Sequence, residues 1–273
     1  MNKQQRAVVI NDLSGIGKCS LTVSISILSA LNIQTCSIPT AILSNQTQFE
    51  NYSFYDFTEN MQEYINVWVN DDEQFDAIYS GFLGSDKQIE IIYDFIKNQT
   101  NPLVIIDPVM GDNQKLYDTY TDSMCEKMMK LISIADVVTP NITEACILAD
   151  KSIESKEFKN EDIKEIARKI ANKGPKYVII TGIITENEIS NVIYDKENDS
   201  ISYSTFPYYL KCYSGTGDIF SSMITGLILR GHTIYDSVEI ASEFLNKAIN
   251  YTTQFDIDSN YGIMYEKFLK DVL

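Results

Sequence analysis

Tyr213-Ser214-Gly215-Thr216-Gly217-Asp218-Ile219-Phe220-Ser221-Ser222-Met223 is a glycine-rich turn that delivers an aspartate into the first turn of an apolar helix. The two glycines let successive backbone N–H groups converge with no Cβ in the way. The helix adds its unpaired N-terminal N–H groups and the positive end of its dipole. Such a turn holds a phosphoryl group. A carboxylate contributes nothing to phosphate binding, because like charges repel, so Asp218 reads as a base that takes a proton from a hydroxyl nucleophile. It also reads as an N-capping aspartate on an ordinary helix, and the rest of the chain has to decide.

Upstream of this turn, short apolar runs alternate with helical patterns, as in a mostly parallel sheet covered on both faces. Ala7 to Ile10 reads as a strand ending at Asn11-Asp12, followed by a turn through Gly15 and Gly17 and a helix from about Ser20 to Leu31. Thr35 to Ile38, Ala77 to Ser80, Leu103 to Ile106, Val137 to Thr139 and Tyr177 to Thr181 read as further strands. Helices are expected over Ile89 to Lys97, Ser123 to Ile134, Ile163 to Lys173, Ile219 to Leu229 and Ile234 to Tyr251. Between Asn191 and Phe206, two alternating runs flank the polar turn Lys196-Glu197-Asn198-Asp199, the pattern of a hairpin on the sheet edge. The expectation is an α/β fold with a mostly parallel central sheet, helices on both faces and an edge hairpin. No linker or repeat interrupts it, so residues 1–273 read as a single domain.

Composition narrows the function. With 273 residues and 44% hydrophobic content the chain can bury one sizeable core. Its 22 basic and 38 acidic residues give a net charge of −16, which argues against nucleic acid or an anionic membrane surface as a partner. An anionic nucleotide would then need a local remedy, and a divalent cation is the obvious one. Five cysteines (Cys19, Cys36, Cys125, Cys146, Cys212) include no C-x-x-C pair, so neither a disulfide framework nor a zinc site is suggested and reduced cytoplasmic thiols fit. With no basic-then-apolar leader at Met1 to Ala7 and no run of eighteen apolar residues, the expectation is a soluble, unexported protein.

In an open sheet, ligands collect beyond the carboxyl ends of the strands. Turn-forming polar residues follow five of these strands at Asn11-Asp12, Ser80 to Ser85, Asp107 to Asp112, Thr139 to Glu144 and Thr181-Gly182. Two nucleotide motifs fail at the first turn. Gly17-Lys18 superficially matches a P-loop, but Asp12 stands where the first glycine belongs and Cys19 where Ser or Thr belongs. A dinucleotide fingerprint fails too, for want of a third glycine and of any acidic residue between Asp12 and Glu50. Lys18 then reads as a solvated residue at a helix start, with a role near phosphates left open.

Five segments, in order, resemble the vitamin B6 (pyridoxal, pyridoxine, pyridoxamine) kinases of the ribokinase-like superfamily. They are Leu43-Ser44-Asn45-Gln46-Thr47-Gln48-Phe49, Ser80-Gly81-Phe82-Leu83-Gly84-Ser85, Asp107-Pro108-Val109-Met110-Gly111, Thr139-Pro140-Asn141-Ile142-Thr143-Glu144-Ala145 and Gly215-Thr216-Gly217-Asp218. The last is common to the superfamily; the first two discriminate B6 kinases from sugar kinases. The resemblance implies ATP-dependent phosphorylation of a vitamer hydroxymethyl group to its 5′-phosphate, with ATP as co-substrate, Mg²⁺, possible use of a monovalent cation such as K⁺, and a cytoplasmic homodimer.

By resemblance, Asp218 is the base and Gly215, Thr216 and Gly217 form the anion hole. Asn141 and Glu144 hold Mg²⁺, with Asp107 near both phosphates and metal; the competing reading of the first two is an N-cap with its capping-box glutamate. Thr139 and Thr181 match nucleotide contacts, or are simply β-branched strand residues. Tyr117 and Tyr120 lie in a lid segment from which one, assigned to Tyr120, covers ATP. On the substrate side stand Asn11, Asp12, Thr47, Gln48 and Phe82. Thr47 and Gln48 belong to a flap expected across the site from the glycine turn. Phe82 replaces a ring-stacking tyrosine. Asn11-Asp12 departs from the serine-containing pair of the B6 kinases, while the related hydroxymethylpyrimidine kinases carry Ser-Asp there. Hydroxymethylpyrimidine kinase is therefore the near alternative, ahead of a sugar kinase or a non-catalytic nucleotide or vitamer sensor. His232, after Gly231, reads as a helix cap.

Overall fold

The structure, a computed structural model, describes residues 4–152 and 158–272; Met1 to Lys3, part of the stretch read as leaderless, lie outside it. The apolar runs do form strands, and the periodic segments between them form helices. In chain order the elements are β1 (Arg6–Ile16), α1 (Ser20–Ala30), β2 (Gln34–Asn45), β3 (Phe54–Asp56), α2 (Thr58–Asn70), β4 (Ala77–Ser80), α3 (Asp86–Lys97), β5 (Leu103–Ile106), β6 (Gly111–Asp112) and β7 (Lys115–Leu116). There follow α4 (Asp122–Ile132), β8 (Val137–Val138), α5 (Ile142–Leu148), α6 (Asn160–Ala171), β9 (Tyr177–Ile184), β10 (Glu188–Asp195), β11 (Ser200–Pro207), α7 (Thr216–Leu229) and α8 (Ile234–Thr252).

The main sheet runs β11-β10-β9-β8-β5-β4-β1-β2-β3. Its six middle strands, β9 to β2, pair in parallel, so their carboxyl ends share one edge. Antiparallel β10-β11 close one side, as the alternating runs imply, and short β3 closes the other against β2. Each central strand is buried on both faces and therefore sends alternate residues into two separate cores. Val8, Ile10, Ile78, Val104 and Ile106 face α2 to α6, while Ala7, Val9, Tyr79 and Ile105 face α1, α7 and α8.

Local chemistry sets several element ends. The Ser85 hydroxyl accepts the Gln88 N–H at 3.2 Å and starts α3, whose Ile89, Ile92, Phe95 and Ile96 turn inward. At the end of α7, Gly231 takes a left-handed φ of +92°, and the His232 N–H reaches back to the Leu227 carbonyl at 3.1 Å. His232 thus closes a helix, as expected.

Two sequence expectations change. The first strand does not end at Asn11-Asp12: β1 continues to Ile16, with its register against β2 shifting between Asn11 and Leu13, and β2 continues to Asn45. A bulge explains this, because it interrupts the ladder at Asp12 while letting pairing resume beyond it. Gly15 accordingly lies in a strand, where a Cβ would stand 2.9 Å from the Ser44 carbonyl oxygen, and the turn is left to Gly17, at φ +109°. The second change is α2, a helix for which the sequence sets no expectation.

Candidate active site

Asp218 occupies the third position of α7, beside the bulge of β1 at Asn11 and near the carboxyl ends of β4 and β5. Gly215 precedes the helix at φ +79°, and a Cβ on it would run into the Lys18 carbonyl oxygen. The residue must therefore be glycine on two counts, conformation and contact. Gly217 differs, for its imagined Cβ meets nothing nearer than Asp107 Oδ2 at 3.7 Å. Its backbone borders open space beside two carboxyl groups, where an incoming phosphoryl group would lie.

Two side chains converge on Asp218, one from β1 and one from β4. Asn11 Nδ2 donates to Asp218 Oδ1 at 2.8 Å, and the hydroxyl of fully buried Tyr79 approaches the same oxygen at 3.4 Å. Burial pushes the Asp218 carboxyl up to about 6; the Asp12 charge adds to the rise, while the Ser20 backbone N–H, Asn11 and Tyr79 oppose it. Asp12 is itself a buried carboxyl held by the Ser14 and Ser20 hydroxyls at 2.7 and 2.6 Å, and burial raises it too.

Asp107, at the end of β5, is pushed up to about 8 by burial and by the charge of Asp218; the Ser221 hydroxyl, 3.5 Å away, partly offsets this. Thr139 is buried and shares a hydrogen bond of 3.0 Å with Ser221. The sequence pattern does not single out Ser221, although its place three residues after Asp218 on a helix puts both on one face. Tyr79 gives no such signal, since a tyrosine inside an apolar strand reads as core.

Asn141 and Glu144 make a capping box, as in their competing reading. Asn141 Oδ1 accepts the Glu144 N–H at 3.0 Å, and Glu144 Oε2 accepts the Asn141 N–H at 2.9 Å. Asn141 Nδ2 also donates to the Gly111 carbonyl at 2.8 Å, and Met110 N–H donates to Glu144 Oε1 at 3.1 Å. Burial, then repulsion from Asp107, holds Glu144 well above the usual carboxylate range despite these donors. Thr181, within β9, lies beside this cap through its N–H bond to the Pro140 carbonyl at 2.9 Å.

The acid cluster fits a hard divalent cation. Asp107, Asp218 and Glu144 take part in no ion pair among the described residues. Their raised carboxyls therefore lack compensating positive charge. No three His, Cys, Asp or Glu side chains among the described residues form a metal-ligand set. Mg²⁺ commonly uses one or two carboxylates, several waters and substrate phosphates, and the unpaired Asp107 and Glu144 carboxyls are of that kind.

Three placements correct the sequence reading. Tyr120 is buried in the core under α3 and α4, where its hydroxyl has no partner, so it covers nothing. Tyr117, exposed by 42%, instead lies near the acid cluster: local desolvation of its hydroxyl and the charges of Glu144, Asp112, Asp107 and Asp218 raise it. Asn11 is 1% exposed, with both side-chain ends engaged, one of them on Asp218. The flap is not across from the glycine turn. Gln48 Oε1 accepts the Ser214 hydroxyl at 2.9 Å, and Phe49 packs edge-on against Tyr261 at 5.1 Å, which ties residues 46–49 to that turn. Thr47 remains exposed on this flap, and Phe82 is half-buried with its N–H on Asn11 Oδ1 at 3.1 Å. Lys18 is held by Glu266 at 2.9 Å.

A cavity of about 550 Å³ opens between Asp56, Gly84, Ser85, Thr121 and Met124, and another of about 530 Å³ lies at the opposite sheet edge, by Leu103, Tyr177 and Tyr235. Neither includes Asp218.

Residues 23–264 match the phosphomethylpyrimidine kinase family model. The chain belongs to that family. It is 39% identical to a Bacteroides thetaiotaomicron VPI-5482 chain described as a candidate phosphomethylpyrimidine kinase and solved with pyridoxal, with a TM-score of 0.94 over 99% of this chain and 96% of that one. It is 32% identical to Bacillus subtilis pyridoxine kinase over 190 residues, 66% of each chain. It is also 26% identical to Aquifex aeolicus hydroxymethylpyrimidine/phosphomethylpyrimidine kinase over 197 residues, 72% of this chain and 74% of that one. Relatives of both substrate classes thus stand near this family member.

Proposed function

We propose that this kinase-family member phosphorylates the 5′-hydroxymethyl group of a vitamin B6 vitamer with ATP. The observation that carries the reading is Asp218: a carboxyl pushed up to about 6 by burial, held by Asn11 beside the glycine turn that opens α7. At neutral pH it is ionised and ready to accept a proton. The vitamer hydroxyl oxygen bonds to the γ-phosphorus while its proton passes to Asp218, and the bond to the bridging oxygen breaks to release ADP. Gly215, Thr216 and Gly217 hold the charge that develops on the transferring group. Asp107, with Glu144 and Asn141 behind it, would hold Mg²⁺, which supplies charge neutralisation at the phosphates when bound. Thr139 and Thr181 border the nucleotide side, and Tyr117 takes the lid position expected of Tyr120. On the vitamer side stand Asp12, Thr47 and Phe82, whose ring offers an apolar face to a pyridine.

Support for a vitamer over hydroxymethylpyrimidine comes from the relative solved with pyridoxal and from the carboxylate after the glycines, where hydroxymethylpyrimidine kinases often carry cysteine. The deciding experiment is a substrate panel with ATP and Mg²⁺ covering three vitamers, hydroxymethylpyrimidine and ribose. Turnover of at least one vitamer with poor use of hydroxymethylpyrimidine is expected. An enzyme that phosphorylates hydroxymethylpyrimidine well and ignores all three vitamers overturns the substrate assignment while leaving Asp218 its role.

The same reading includes a homodimer. Leu13, Ile42 and Tyr55 lie opposite one another across β1, β2 and β3, and all three are exposed, Tyr55 by 69%. A row of apolar side chains on one sheet face is suited to pairing with a second copy. Sedimentation should give twice the 31.0 kDa chain mass, and Tyr55→Lys should shift it toward the monomer.

A further inference from the structure

The seat of Asn11 is built to one purpose. Its Oδ1 accepts two backbone N–H groups, from Phe82 at 3.1 Å and from Asp12 at 3.0 Å. Those donors fix which end of the carboxamide is oxygen, so the nitrogen has to face the Asp218 carboxylate, 2.8 Å away. Gly81 makes the seat possible, because a Cβ there would collide with Asn11 Nδ2 and stand 2.8 Å from its Cγ. Gly81 is itself pinned by its N–H bond to the Ile10 carbonyl at 2.8 Å.

We propose that Asn11 is the positioning residue of the base: it fixes the Asp218 rotamer from behind, takes no part in binding the vitamer, and relies on Gly81 for the room to do so. The inference rests on the reading of Asp218 as the base. Asparagine suits the task better than its neighbours in chemistry. Aspartate could not donate to a carboxylate, and serine is too short to accept both N–H groups and still reach it. Both side-chain donors to Asp218, Asn11 and Tyr79, fall on Oδ1, and the Ser20 backbone N–H adds a third donor to the carboxylate. A donor to the ionised form also works against burial and against the Asp12 charge, the two influences that raise Asp218.

The test is the pH dependence of kcat for Asn11→Leu and Asn11→Ser beside the parent, with vitamer KM and thermal unfolding measured on each. Without the Nδ2 donor, the acid limb should move up by about one pH unit, the scale of one hydrogen bond to a charged group. The vitamer KM should stay within about twofold of the parent. Asn11→Ser, smaller and still polar, keeps the measurement possible should Asn11→Leu not fold. Gly81→Ala, which crowds Asn11 without changing it, should move the limb in the same direction. A tenfold rise in vitamer KM with an unmoved limb makes Asn11 a substrate contact and overturns the proposal. Loss of kcat with an unmoved limb in a folded variant makes it merely structural and overturns the proposal equally. Asp218→Asn distinguishes the two levels: normal turnover there removes the base reading itself, whereas lost turnover there with unmoved Asn11 limbs removes this inference alone.

Discussion

Asp218 combines two environments that usually exclude each other, a low-dielectric seat that favours the neutral acid and a set of donors that favours the anion. The balance near 6 is what a general base working at neutral pH requires. Asp218→Asn keeps the shape and removes the acceptor, so turnover should fall by about two to four orders of magnitude, the scale of a lost general base. Nucleotide affinity, read by ADP titration, should persist; near-normal kcat in a folded variant would take Asp218 out of the role. The two glycines beside it separate structure from chemistry. Gly215→Ala drives a Cβ into the Lys18 carbonyl at a left-handed φ, and the fold should lose on the order of 2–3 kcal/mol. Gly217→Ala meets only ordinary contacts, so its melting temperature should hold while the KM for ATP rises, because the methyl enters the phosphate space. A Gly217→Ala enzyme with unchanged KM for ATP would show that this edge of the turn does not border the nucleotide.

Elements explain which parts of this were legible in the sequence. The parallel strands, the edge hairpin and the helix after the glycine turn could be read because each has one dominant period and is bounded by residues with a single local use. What escaped depends on tertiary contact. The continuation of β1 past Asp12 needs β2 as a partner across a bulge, and α2 carries a stripe of Met61, Ile65 and Trp68 that is short and flanked by polar residues. Tyr117 and Tyr120 are three residues apart with equal claims by composition; the turn between β7 and α4 buries the second and exposes the first. Asn141 and Glu144 show the limit differently, since a capping box and a metal-holding pair have the same spacing on one helix start. Both uses can coexist, as a carboxylate offers about four acceptor sites. Glu144→Gln, which keeps one acceptor for the α5 cap, should therefore raise the Mg²⁺ concentration giving half-maximal rate. An unchanged Mg²⁺ titration leaves Glu144 with the cap alone.

At the scale of the whole molecule, a net charge of −16 surrounds a site that must receive a polyanion, and the site's own groups are acids. Burial, and then repulsion from neighbouring acids, holds Asp107, Asp218 and Glu144 above the usual carboxylate range. The consequence for stability has a definite sign. A carboxyl whose folded pKa is raised binds more protons folded than unfolded, so it favours folding below its unfolded pKa of 3.8 and loses that contribution as pH rises through the folded value. With Asp218 near 6 and Asp107 near 8, the protein without ligands should lose melting temperature steadily between about pH 5 and pH 8.5. Asp107→Asn should flatten the upper part of that slope and raise stability at pH 8 by on the order of 1 kcal/mol, while impairing catalysis. Mg²⁺ with ADP should do the same to the parent protein without a mutation, because a bound cation favours the ionised carboxyls and restores at pH 8 what proton loss removes. Scanning calorimetry of parent and Asp107→Asn, each with and without Mg²⁺ and ADP, measures this directly. A parent protein whose melting temperature is flat or rising between pH 6 and pH 8 would mean that the cluster has no buried charge to relieve and that these acids are not shaped for a cation.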